Sequence, residues 1–186
     1  MEAGKLKQRI KFLILFFICA LAAAGLTAFP LVWEINLLYR WLGPGTFMEH
    51  TFPPMAQWIA FIYQGLTETN QKYPFILYGT DWLAFAHIVI AIAFIGPLRD
   101  PVRNIWVVEF GMIACVLIIP MVLIMGPVRG IPPFWQVIDS SFGILGIIPL
   151  WFCRQYIVRL GELQSGVFNP ALAQLEETLS ETGRGG

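Results

Sequence analysis

Apolar and polar positions separate along this chain into four long, nearly uncharged runs, with one polar-interrupted stretch between the first two. Residues 12–31, 75–97, 105–125 and 134–156 are each mostly apolar. A helix needs about 20 such residues to cross roughly 30 Å of hydrocarbon, because lipid offers no partner for unpaired backbone groups. The four runs predict four transmembrane helices.

The stretch between the first two runs has a different period. Met55, Trp58, Ile59, Ile62, Tyr63 and Leu66 recur at helical spacing, while Gln57, Gln64, Thr67 and Glu68 fall mostly elsewhere. This pattern predicts an amphipathic helix that Pro53-Pro54 begins and Asn70 ends. Its simplest placement is flat on the outer membrane surface, apolar face down; the functional alternative is a lid over the helices. A second short helix is expected over 32–42, before the break at Gly43-Pro44-Gly45.

The other links, 98–104 and 126–133, are short enough to make their flanking runs antiparallel neighbours. The expected fold class is therefore an all-α membrane protein, a four-transmembrane-helix bundle over 1–160 with an interfacial amphipathic helix in its long first outer loop. Residues 161–186 read as a soluble cytoplasmic tail. There Asn169-Pro170 should start a helix with a Leu172, Leu175, Leu179 stripe, and 182–186 should be disordered.

Composition agrees with this reading. The chain is 57% hydrophobic and 13% charged, about half the charge of a soluble domain. A formal net charge of zero lacks the basic surface that nucleic-acid binding requires. Cys19, Cys115 and Cys153 sit in apolar runs without metal-ligand spacing, so they read as small packed hydrophobes, and no metal or cofactor is identifiable.

Charge sets the expected orientation, since basic residues concentrate in cytoplasmic segments. Lys5, Lys7, Arg9 and Lys11 precede the first run, Arg99 and Arg103 follow the second, and Arg154, Arg159 and Arg184 follow the fourth. Only Arg40, Lys72 and Arg129 lie on the opposite side. Both ends are thus expected inside, in a bacterial inner membrane. The first run also resembles a secretory signal, with Ala20-Leu21-Ala22 as its cleavage site. Its continuation through Leu26, Phe29, Leu31 and Trp33 favours a retained span.

Ionisable groups inside apolar runs carry the candidate chemistry, because each must find a protein or water partner. They are Asp81, His87, Glu109 and Asp139. At about 1.5 Å per residue, His87 lies about 9 Å deeper than Asp81, near mid-run, and Asp139 falls at a level between them. Glu109 lies toward the inner end. Thr80, Ala84 and His87 share one helix face; Asp139, Gly143 and Gly146 share another that permits close approach, perceived as facing the His87 side of the second run. Structural roles compete: Asp81 as a helix-start charge, Asp139 paired with Arg129, Glu109 paired with Arg103. Pro120 and Pro149 should kink their helices.

His87, Asp139, Trp82 and Trp135 together suggest an outer-half pocket for a lipid-like, apolar ligand with one polar or cationic group, and Asp81 and Glu109 complete the candidate set. A His/Asp pair could move a proton there, although no catalytic motif is identifiable. His50 lies outside the runs, so two histidines cannot hold a haem within one protomer. In its layout of four spans with intramembrane acids, and in that layout alone, the chain resembles the emopamil-binding and sigma-2-receptor class of sterol-binding proteins. The alternative function is a non-catalytic accessory or assembly subunit. Expected partners are the bilayer, a lipid-like small molecule, and a second copy or another membrane protein.

The topology is directly testable. With the native cysteines replaced, a cysteine at Thr46 should react with an impermeant thiol reagent in intact cells, and one at Ser165 should react only after lysis. Reaction of both in intact cells would overturn the orientation.

Overall fold

The computed structural model describes the backbone of residues 2–182 and the side chains of 2–165. All four apolar runs lie in helical stretches long and apolar enough to cross a membrane: Glu2–Ala28, Pro74–Arg99, Ile105–Val128 and Pro133–Ser165. Among the described residues there is no strand. The chain divides into two compact units, Met1–Phe17 with Ala93–Gly186, and Ile18–Ile92.

The first unit is organised by the antiparallel pair α7 (Ile105–Val128) and α8 (Pro133–Thr182). The turn between them closes with Gly130 at φ 68, where its N–H donates to the Pro127 carbonyl and the Ile131 N–H to the Gly126 carbonyl. Glycine adopts that left-handed conformation without steric penalty, and the two bonds satisfy carbonyls that the helix end would otherwise strand. Pro132 and Pro133 then start α8.

Glycines let the two backbones approach. A Cβ on Gly143 would overlap the Cys115 carbonyl oxygen, one on Gly146 would lie 3.0 Å from Cys115 Sγ, and one on Gly111 would meet Phe94 at 2.8 Å. Val107, Val108, Cys115 and Val122 of α7 and Leu150, Cys153, Ile157 and Leu160 of α8 are buried. The face of α8 that carries Gly143 and Gly146 therefore packs on α7. A short turn makes α7 and α8 neighbours, and each close crossing then uses that face.

The N-terminal part of α1 (Glu2–Ala28) belongs to this unit and buries Leu6, Ile10 and Ile14. Helix begins ten residues before the expected start, so the basic residues are themselves helical. Between α1 and α7 comes α6 (Ile95–Arg99), preceded by fully buried Phe94, whose ring lies 4.8 Å from that of Phe17. The helix breaks at Phe94 because Pro97 lacks an N–H and its ring crowds the carbonyl four residues back. α8 runs without interruption past Asn169-Pro170, where a fresh helix start was expected. The expected Leu172, Leu175 and Leu179 stripe lies outside the described side chains, and residues 183–186 lie outside the described backbone.

The second unit holds α2 (Leu31–Leu42), α3 (Phe47–Thr51), α4 (Pro53–Lys72), a 3-10 turn (Pro74–Leu77) and nearly all of α5 (Tyr78–Ala93). α4 begins at Pro53 as expected but passes Asn70 to Lys72, ending where Pro74 disfavours helix for Tyr73. Its stripe meets α2: Tyr39 and Tyr63 stack at 4.5 Å, and Ile35, Ala56 and Ile59 are buried. The apolar face of α4 is thus largely covered by protein. Along α2, Trp33, Leu37 and Trp41, spaced four apart, remain exposed. α3 was not anticipated, although its signal is legible in Thr46-Phe47-Met48-Glu49. The Met48 N–H donates to Thr46 Oγ1 at 3.3 Å and the Gly45 N–H to Glu49 Oε2 at 2.7 Å, a close relative of the capping box.

Glycine substitutions should separate packing from propensity. Gly143→Ala should lower the melting temperature in detergent, with overpacking of about 1–3 kcal/mol. Gly65→Ala, in a helix with open space around it, should leave the melting temperature unchanged or raise it, through a stabilisation of up to about 1 kcal/mol. Equal shifts for the two would show that the α7–α8 contact is not tight.

Candidate functional site

His87 lies where α1 and α5 cross within the second unit. A Cβ on Gly25 would be 2.8 Å from the Ala84 carbonyl oxygen and 3.1 Å from His87 Cβ, and Ala84 is fully buried. The expected Ala84 and His87 face is therefore the packing face of α5. His87 Nδ1 lies 2.8 Å from the Leu83 carbonyl oxygen. A carbonyl only accepts, so Nδ1 is the donor in this bond. The partner of this ring nitrogen is thus one turn back on the same helix.

Asp81 stands in the first turn of α5, where a helix end favours negative charge. Trp82 is 57% exposed and lies edge-on to Tyr78 and Phe85, each at 6.0 Å. These three form an outward aromatic row, so Trp82 does not close a pocket over His87.

In the first unit, the antiparallel register brings Glu109 of α7 level with Arg154 of α8. Arg154 Nε donates to Glu109 Oε1 at 2.8 Å. This replaces the expected partner Arg103, whose backbone N–H is held by Asp100 Oδ1 at 3.1 Å. The two side chains are 38% and 40% exposed, so in water such a pair would contribute only about 0.2–1 kcal/mol. Asp139 is half-buried, and among the described residues no ion pair joins it to Arg129. Trp135 is half-buried in the first turn of α8.

His87, Asp81 and Trp82 belong to the second unit; Asp139, Glu109 and Trp135 belong to the first. No group of three or more metal-ligating side chains occurs among the described residues.

A groove that the sequence reading did not single out runs along the N-terminal turns of α1 against α8. It has a volume of about 730 Å³ and is lined by Lys5, Gln8 and Arg9, then Phe12, Leu13 and Phe152. Arg9 lies over the Tyr156 ring at 5.7 Å, a cation–π geometry. The spacing of Lys5, Gln8, Arg9 and Phe12 on one helix face is the signal that would have revealed it. Comparison with known protein families gives no match, and neither curated proteins nor solved structures give one.

The ion pair supplies the test here. Glu109→Gln and Arg154→Gln should each lower the melting temperature in detergent, and the double variant should lose less than the two losses added, with a coupling of about 0.5–1 kcal/mol. Strict additivity would make the pair energetically silent.

Proposed function

We propose that this chain is a four-span integral membrane protein, with both ends cytoplasmic in a bacterial inner membrane, that holds a membrane lipid or lipid-like amphiphile in the α1–α8 groove. The observation that carries this reading is the gradation of the groove. Two cationic side chains at its mouth give way within about two helical turns to Phe12, Leu13 and Phe152. A polar or anionic head beside Lys5 and Arg9 with an apolar tail along the aromatics matches that sequence of surfaces. The ligand site thus moves from the outer half of the helices to the inner end.

In the same reading, α2 is the helix that lies on the outer surface. Trp33 and Trp41, 66% and 72% exposed, are the residues that favour the headgroup level, and α4 rests on the other side of α2. The accessory-subunit alternative loses one of its supports, because Gly143 and Gly146 are engaged by α7 and do not offer a free docking face.

Native mass spectrometry of protein extracted in mild detergent tests the proposal. A lipid-sized adduct should accompany the native chain and be depleted in the Lys5→Gln, Arg9→Gln double variant. A stoichiometric protein partner without lipid, or an adduct retained unchanged by the variant, would overturn it.

A further inference from the structure

The four basic residues of α1 alternate: Lys5, Lys7, Arg9 and Lys11. At about 100° per residue, Lys5 and Arg9 share one side of the helix, and Lys7 and Lys11 share another side roughly 160° away. Leu6, Ile10 and Ile14 form the buried seam between them. The alternation that reads as a simple positive cluster therefore becomes two separate pairs.

The second pair borders a cavity of about 410 Å³. Its apolar floor includes Ile10, Pro97 and Leu160, all buried, and its rim carries Lys7, Lys11 and Arg99. The rim also holds Gln164 and one acid, Asp100. Asp100 Oδ1 already accepts the Arg103 N–H at 3.1 Å, so one of its oxygens is engaged with the backbone. The rim bears three cations against one carboxylate, and the cations come from two separated stretches of chain.

We propose that this cavity binds a phosphoryl group, carried by an inner-leaflet phospholipid or by a soluble phosphate compound. A phosphoryl group presents several acceptor oxygens and carries up to two charges, which suits convergent lysines and an arginine. The apolar floor favours a phosphate attached to a glycerol and acyl chain over a free anion. The site shares no lining residue with the α1–α8 groove, so either can fail without the other.

The test uses the full chain in dodecylmaltoside at physiological salt, following thermal unfolding by tryptophan fluorescence. Dioctanoyl phosphatidate should raise the midpoint saturably, and dioctanoyl phosphatidylcholine should raise it less. The Lys7→Gln, Lys11→Gln variant should bind phosphatidate roughly tenfold more weakly, as should Arg99→Gln. The Arg40→Gln, Lys72→Gln variant, which removes two cations that line neither the groove nor the cavity, should keep native affinity. Sodium phosphate distinguishes the sources: no shift assigns a lipid, whereas a shift at least equal to that of phosphatidate assigns a soluble phosphoryl ligand. The inference is overturned if neither phosphate source shifts the midpoint. It is also overturned if the Lys7, Lys11 and Arg99 variants retain native affinity, or if the Arg40 and Lys72 variant weakens equally, since that would indicate general charge attraction.

Discussion

Close approach between α7 and α8 is the constraint on which the rest of the first unit depends. In lipid an apolar helix gains little by exchanging tails for another apolar helix, so association rests on interdigitation that only small residues allow. Gly143 and Gly146 provide it against Cys115, and Gly111 admits the Phe94 ring. Once those contacts fix the register, Glu109 meets Arg154. An ion pair between residues 45 positions apart is thus a consequence of glycine placement.

The helices were largely legible because their determinants are local. Run length located the four apolar helices, and prolines located the start of α4. What escaped was set by context or by a short signal. The capping sequence at Thr46 to Glu49 was readable but was passed over within a segment read for longer periods. The extension of α4 to Lys72 shows a proline outweighing an asparagine as terminator. The break at Phe94 required weighing Pro97 inside an otherwise apolar run.

Side-chain partners were less legible than the helices that carry them. Glu109 could be placed by depth, but one helix wheel cannot say which arginine another helix brings level with it. His87 was placed on the correct face, yet its hydrogen bond goes to Leu83, a choice that depends on rotamer and tautomer. The α4 stripe was correctly periodic, but periodicity reports an apolar face without saying whether protein or lipid covers it; Tyr39 of α2 covers part of it. The basic residues of α1 were read for orientation alone, and their division into two pairs emerges only when the helix is known to begin at Glu2.

The first seventeen residues share a compact unit with the chain beyond Ala93, and the Arg159 guanidinium donates to the Glu2 carboxylate across 157 positions. Synthesis runs from the other end. The N-terminal helix therefore emerges long before α8 exists, and Leu6, Ile10 and Ile14 must wait, uncovered by their final neighbours, while the intervening helices are made. Closing so long an interval carries a loop-entropy cost that grows only slowly with its length, but it cannot be met until α8 is complete. Biogenesis thus has an obligatory late step, and a ribosome stalled before α8 would leave a chain with most of its helices made and the first unit unassembled.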